Sequence, residues 1–278
     1  MTKTWLITGT SSGFGRIMTE TLLARGDRVA ATLRRPERLA GLADAYGDRL
    51  WLADLDVTDT ARLRAVTDAA FAHFGRIEVV VSNAGYGLLG AAEELDDAAI
   101  RRQIETNVLG SMQLFRAVVP HLRRQGGGRF LQLSSMGGQM AFPGLSLYHA
   151  SKWAMEGFFE AAAPEVAPFG IGVTLIEPGA ASTGFGSTGA DLAAPSAVYA
   201  DTPAGAIRRA FTEGAFPVPG DPDRMVARMI EVAETVEAPR RLALGSDAYE
   251  QIRTALLGRL AALDAQEAVA RSTDLGAG

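Results

Sequence analysis

Tyr148 and Lys152 stand four positions apart, so on a helix they share one face, with the ammonium near the phenol. A free phenol, with a pKa of ~10, is a poor acid and a poor base at neutral pH. A neighbouring cation favours the phenolate and brings the group towards the range where it can move protons. Ser135 precedes Tyr148 by thirteen residues and follows an apolar run. From the end of such a strand, its hydroxyl could hold a substrate oxygen beside the phenol. Tyr-x-x-x-Lys pairs are common on ordinary helix surfaces, so the meaning of this one depends on its company.

The composition removes several rival chemistries. The 278 residues include no cysteine, which excludes a thiolate nucleophile, disulfides, thiolate zinc sites and iron–sulfur clusters. Three scattered histidines (His73, His121, His149) weigh against a histidine metal centre or a Ser-His-Asp triad, so no metal is expected. Acids outnumber bases 32 to 27, a net charge of −5 that disfavours nucleic acid or an anionic membrane as partner. No apolar stretch approaches the ~18–20 residues of a membrane span. The N-terminus has no apolar region of signal-peptide length, and a soluble cytoplasmic protein is expected.

A second group of residues points to a nucleotide. Thr8-Gly9-Thr10-Ser11-Ser12-Gly13-Phe14-Gly15 joins the first apolar run to the first helical pattern. Glycines there permit a tight turn and close approach of backbone to a pyrophosphate, while the helix N-terminus offers unpaired N–H groups. Gly9, Ser11, Ser12, Gly13, Phe14 and Gly15 are therefore candidate cofactor contacts. An acid that would read a ribose 2′-hydroxyl is missing from the end of the second strand, where Leu33 is followed by Arg34 and Arg35. Guanidinium groups suit a 2′-phosphate, so NADP(H) is expected over NAD(H). The plainer alternative, two arginines decorating a helix start, places positive charge against the helix dipole. Asp56-Val57 either meets the adenine amino group or caps the next helix. Asn83, Ala84 and Gly85, with their small neighbours, follow the fourth strand.

These residues need a scaffold that brings strand ends together. Short apolar runs at Trp5–Thr8, Arg28–Leu33, Leu50–Leu55, Glu78–Ser82, Phe130–Ser134 and Val173–Ile176 alternate with helical patterns. The run Val79-Val80-Val81 is continuous, as in a strand buried on both faces. The expected fold is α/β, a Rossmann-like, doubly wound parallel sheet in a three-layer α/β/α arrangement, forming a single domain over 1–278. Two helices are expected at Asp96–Thr106 and Leu109–Gln125. Residues 183–221 lack a strong period and read as a substrate-binding loop or lid. A C-terminal helix over 246–270 carries Tyr249, Ile252, Leu256, Leu260 and Leu263 on one stripe, to pack on the domain or on a sister subunit.

Thr8-Gly9-x-x-x-Gly13-x-Gly15, Asn83-Ala84-Gly85, Asn107, Ser135, Tyr148-x-x-x-Lys152 and Pro178-Gly179 occur in the order and spacing of a known family. Over nearly its full length the sequence resembles the single-domain short-chain dehydrogenase/reductases. The resemblance implies that Tyr148 exchanges a proton with the substrate oxygen while hydride passes to or from nicotinamide. It implies that Lys152 binds the nicotinamide ribose and lowers the Tyr148 pKa, that Ser135 holds the reacting oxygen, and that Asn107 anchors a water linking Lys152 to solvent. Asn83, Ala84 and Gly85 would approach the cofactor, with Pro178, Gly179 and Thr183 along the nicotinamide. A homodimer or homotetramer is implied too. Ser82, Phe14 and Pro164 depart from the family pattern, and Pro164 is expected to kink the Tyr148 helix.

Tyr86–Gly90 and Ala167–Ile171 look most like the branch containing estradiol 17-beta-dehydrogenases and retinol dehydrogenases. Beside Ser135 and Tyr148, the expected substrate wall holds Met136, Gln139, Phe142, Leu145 and Phe185. It is mostly apolar and suits a hydrophobic ketone or secondary alcohol. Two other readings remain: a non-catalytic NADP(H)-binding sensor or structural protein, and a 3-ketoacyl-carrier reductase.

Overall fold

Strands that are apolar at successive positions must be covered on both faces, and alternate side chains must then enter different layers. The structure, a computed structural model, describes residues 2–183 and 190–276. It shows that division along β1 (Thr4–Thr8), where Leu6 joins one core while Trp5 and Ile7 join the other. β2 (Arg28–Leu33), β3 (Leu50–Asp54), β4 (Val79–Ser82), β6 (Gly128–Leu133), β7 (Ile171–Pro178) and β9 (Arg241–Leu244) complete a seven-stranded sheet. Its order is β3-β2-β1-β4-β6-β7-β9, and every pairing is parallel. On one face lie α3 (Thr60–Phe74), α5 (Ser111–Arg124) and α6 (Ser146–Val166), through Leu63, Phe115 and Phe159 among others. On the other lie α1 (Gly13–Ala24) and α8 (Pro222–Glu234), through Met18, Leu22 and Met229, with the short α2 (Ala40–Tyr46) at the rim. The expected three-layer α/β/α arrangement is present.

Three segments differ from the sequence reading. The two helices expected between residues 96 and 125 form one continuous run. α4 (Asp97–Ile104) passes through a π-helical turn (Glu105–Gly110) into α5. A π turn inserts a residue and shifts the apolar stripe, which reads in sequence as a break. The supposed loop 183–221 carries structure in its described part. β8 (Ala190–Leu192) pairs with β5 (Gly87–Leu89), and α7 spans Pro203–Thr212. Thr202 caps α7 by accepting the Gly205 N–H, and Pro203 opens its first turn, so the start signal was present among residues read as breakers. The C-terminal helix α9 ends at Asp264 and is followed by a short α10 (Glu267–Arg271).

Of the α9 stripe only Ile252 is buried; Tyr249, Leu256, Leu260 and Leu263 are exposed. α6 continues through Pro164 to Val166, although a proline there has no N–H to give the Glu160 carbonyl. Among the described residues no helix is long and apolar enough to cross a membrane, and no cluster of three or more His, Asp or Glu could hold a metal ion.

Candidate active site

All seven parallel strands point their C-terminal ends to one edge, where open α/β sheets bind ligands. At the end of β6, Ser135 caps a short 3₁₀ turn (Met136–Gly138), its Oγ accepting the Gly137 N–H at 3.0 Å. Tyr148 and Lys152 project from the first turns of α6, and Ser135 lies near enough to the Tyr148 phenol to act on its pKa. The Lys152 ammonium stands 5.7 Å from the Tyr148 ring centroid and donates to the Leu133 carbonyl at 2.9 Å. Burial pushes Lys152 down from 10.5 to about 8, with Glu156 opposing. Burial pushes the Tyr148 phenol up, and the neighbouring Ser135 hydroxyl brings it part of the way back. This net direction is opposite to the one expected from the Tyr–Lys spacing. Desolvation of the phenolate outweighs a cation that stands over the ring.

Asn107 sits in the π turn with its side chain engaged on protein. Its Oδ1 accepts the Tyr86 N–H at 3.0 Å, while its Nδ2 donates to the Tyr86 carbonyl at 2.8 Å and to Ser151 Oγ at 3.1 Å. Ser151 in turn donates to the Tyr148 carbonyl at 2.7 Å. The widened turn thereby ties the stretch after Asn83-Ala84-Gly85 to the start of the Tyr148 helix.

The glycine loop lies at the same edge. Gly9 has φ +71°, a conformation that favours glycine, and a Cβ on it would come within 2.8 Å of Ala84 Cα. A Cβ on Gly15 would meet Asn83 Nδ2 at 2.5 Å. Asn83 Nδ2 donates to the Thr8 and Gly9 carbonyls, so that side chain binds the loop itself. Ser12 precedes α1 without capping it through its side chain, and the first turn of α1 has no acid. An uncapped, acid-free helix start is a fit site for a phosphate. Ser11 and Phe14 flank it half-buried. Thr183 lies against Gly13, with its Cβ 3.5 Å from where a Gly13 Cβ would be. Arg34 and Arg35 are both exposed past the end of β2. Asp56 does not cap α3: its Oδ1 accepts from the Thr58 N–H and hydroxyl, and Asp59 is the cap. Val57 is a core side chain, packed beside Gly110 of the π turn. After β7, Pro178 and Gly179 continue into Ala180, whose N–H donates to Asp247 Oδ2 at 2.8 Å.

The apolar wall is built from two sides. Met136 is buried against Ala248 and Ile252 of α9, with Met140 and Phe142 alongside, and Phe142 meets Phe216 edge to face. Leu145 is half-buried just before α6. Gln139, half-buried on the same turn, donates its amide to Glu177 Oε1 at 2.9 Å. Phe185 lies outside the described residues. His149 bridges Gly137 O (Nδ1, 2.9 Å) and the Phe142 N–H (Nε2, 2.8 Å) and so closes the loop that makes the wall. Its only sequence signal was a position next to Tyr148. Glu94 was missed altogether, since its partners Ser196 and Arg208 lie about a hundred residues away.

Residues 3–191 match the family model described as short chain dehydrogenase. An oxidoreductase from Botryotinia fuckeliana is 38% identical over 251 residues, covering 90% of this chain and 91% of the relative. A 3-ketodihydrosphingosine reductase from Bacteroides thetaiotaomicron is 38% identical over 180 residues, covering 65% of this chain and 64% of that protein. The crystal structure of a short-chain dehydrogenase from Streptomyces avermitilis superimposes with a TM-score of 0.91 at 41% identity, covering 98% of each chain.

Proposed function

Because this chain belongs to the short-chain dehydrogenase family, whose members are nucleotide-binding oxidoreductases, we propose that it is an NADP(H)-dependent carbonyl reductase or alcohol dehydrogenase acting on a hydrophobic ketone or secondary alcohol. The observation that carries the reading is the convergence of Ser135, Tyr148 and Lys152 at one strand end, with the Lys152 ammonium 5.7 Å from the Tyr148 ring and held on the Leu133 carbonyl. The uncapped start of α1 holds the pyrophosphate, with the backbone of residues 9–15 around it. Arg34 and Arg35 hold the 2′-phosphate, which distinguishes NADP(H) from NAD(H). Asp56 and the backbone of Val57 would hold the adenine, and Pro178, Gly179 and Thr183 would hold the nicotinamide. When bound, the nicotinamide supplies or accepts the hydride at the substrate carbon.

In the reducing direction, Tyr148 donates its hydroxyl proton to the carbonyl oxygen as negative charge develops there. A phenol whose pKa is pushed up by burial is protonated and ready to donate at neutral pH. Ser135 holds the same oxygen by a hydrogen bond. An ammonium has three donors. One of Lys152's donors is fixed on the Leu133 carbonyl, and the others serve the ribose hydroxyls and a water towards solvent. With the Asn107 side chain engaged, that water is held by the Asn107 backbone carbonyl, which also accepts from Ser111 Oγ.

The apolar wall of Met136, Phe142 and Phe216 favours a hydrophobic substrate, and the Bacteroides relative is named as a reductase of a 3-keto compound. A panel of hydrophobic ketones and secondary alcohols, run with NADPH, NADH and their oxidised forms, tests the reading. Tyr148→Phe is expected to lower kcat about 10²–10⁴-fold, the usual weight of a general acid. Unchanged turnover by that variant would sink the assignment. NADPH binding without turnover anywhere in the panel would favour a sensor.

A further inference from the structure

Behind the catalytic residues lies a buried charged cluster that the proposed reaction does not use. Glu156 and Glu177 are 6% and 2% exposed. Glu156 stands one turn after Lys152 on α6, and its Oε1 accepts from Ser134 Oγ at 2.5 Å, next to Ser135. Glu177 immediately precedes Pro178-Gly179 on β7 and receives the Gln139 amide, from the turn after Ser135. Arg241 of β9 reaches both, with Nε 2.9 Å from Glu156 Oε2 and 3.5 Å from Glu177 Oε1, and its Nη2 lies 2.5 Å from Glu160.

The two buried carboxyls therefore crowd one guanidinium nitrogen, and each is close enough to feel the other's charge. Two ionised carboxylates held side by side away from water repel each other, and a proton on one of them turns that repulsion into a hydrogen bond. The charge count agrees. Glu156, Glu160 and Glu177 face Arg241, and Lys152 lies within electrostatic reach of Glu156. One retained proton leaves two carboxylates opposite two cations.

We propose that Glu156 and Glu177 share a single proton, and that this bond sets the strand end carrying Ser135 against the strand end carrying Pro178-Gly179. Both are positioning residues, acting through Ser134 and Pro178. The kinetic consequence rests on the oxidoreductase reading; the shared proton does not.

Burial pushes the Glu177 carboxyl up from 4.5 to about 7, Gln139 and Arg241 oppose it, and Glu156 adds to it. A carboxyl raised in the fold keeps a proton that the unfolded chain has released. Its stabilising effect is full below 4.5 and is lost as pH rises from there to about 7. Above that pH the pair ionises and repels, and the two strand ends lose their tie.

Glu177→Gln keeps a hydrogen-bond donor but has nothing to titrate. An infrared pH titration of the cofactor-free protein is expected to show a protonated carboxyl band that fades near neutrality and is missing from E177Q. The wild-type Tm is expected to fall between about pH 5 and 7 more steeply than that of E177Q. In the ketone assay, the inflection of kcat/KM near neutrality is expected to vanish in E177Q. Glu156→Gln, which weakens the Ser134 and Arg241 contacts, is expected to lower kcat about tenfold while shifting NADPH affinity less than about threefold. The proposal is overturned if wild type shows no such band above pH 6, or if E177Q keeps the wild-type Tm and kcat/KM profiles. Should no carbonyl compound be turned over, the oxidoreductase reading fails alone, because the band and the Tm profile still decide the pair.

Discussion

Single side chains differ in how far their meaning is written locally. Tyr148, Lys152 and the glycines at 9, 13 and 15 were legible because helix periodicity or turn chemistry relates neighbours within a few residues. Asn107 was legible only through the family resemblance, and Glu156 and Glu177 not at all, because each takes its role from a backbone or charge on another element. His149 shows the difference. Burial holds its imidazole below the usual histidine pKa, against the pull of the Gly137 carbonyl, so Nδ1 donates to that carbonyl while Nε2 accepts the Phe142 N–H. A ring whose pKa is lowered by folding contributes stability above the unfolded value of ~6.5, and that contribution is lost as pH falls. His149→Ala is expected to remove this acid-side component from a Tm-against-pH curve. It is also expected to raise KM for an apolar ketone more than it lowers kcat, because the loop from Gly137 to Phe142 loosens while Tyr148 stays. Equal losses in both parameters would show that the loop does not act through substrate.

Among the elements, long strands and helices followed from their patterns. β2, α3, α8 and β9 begin and end where the apolar runs do. Elements of three residues carry no period, so β5 and β8 escaped. Their pairing matters because it introduces α7 to the site. Ala204 of α7 sits beside Gly144, and Phe216 meets Phe142. One buried carboxylate anchors the segment: Glu94 accepts the Ala91 N–H at 2.8 Å, the Ser196 N–H at 2.7 Å and Arg208 Nη2 at 2.5 Å. The Ser196 amide, with Ala91 and Arg208, holds this carboxyl below the ordinary glutamate value against burial. Glu94→Gln sets an amide against these donors and is expected to raise substrate KM about tenfold, with a smaller change in kcat. Limited proteolysis is expected to cut between residues 193 and 212 faster in the variant. An unchanged cleavage rate would show that Glu94 does not anchor α7.

At the scale of the whole molecule, the cofactor draws on both flanks of the sheet centre, so its binding should report on global stability. A ligand that binds only the folded chain stabilises it by about 2.7 kcal/mol at a hundred times its Kd. For a protein of this size that corresponds to a rise in Tm of roughly 5–10 °C. NADPH is expected to give such a rise at concentrations where NADH gives much less, read by differential scanning fluorimetry. Replacing Arg34 and Arg35 together with alanine is expected to erase the difference, since both are exposed and absent from the core. Equal shifts from the two nucleotides in wild type would overturn the cofactor preference.

The placing of β1 beside β4 has a consequence for descent as well as for binding. One bank of the cleft, with the glycine loop and the arginines, is encoded before residue 60; the other, with Ser135, Tyr148 and the apolar wall, is encoded after residue 130. If the proposed roles hold, mutation of the first bank should retune the choice of reductant without disturbing the choice of substrate, and the reverse. Asn83, which follows β4 between the two, ties the centre of the sheet to the first bank, because its amide grips the Thr8 and Gly9 carbonyls. A lineage can therefore exchange either specificity in separate steps, provided that tie is inherited intact.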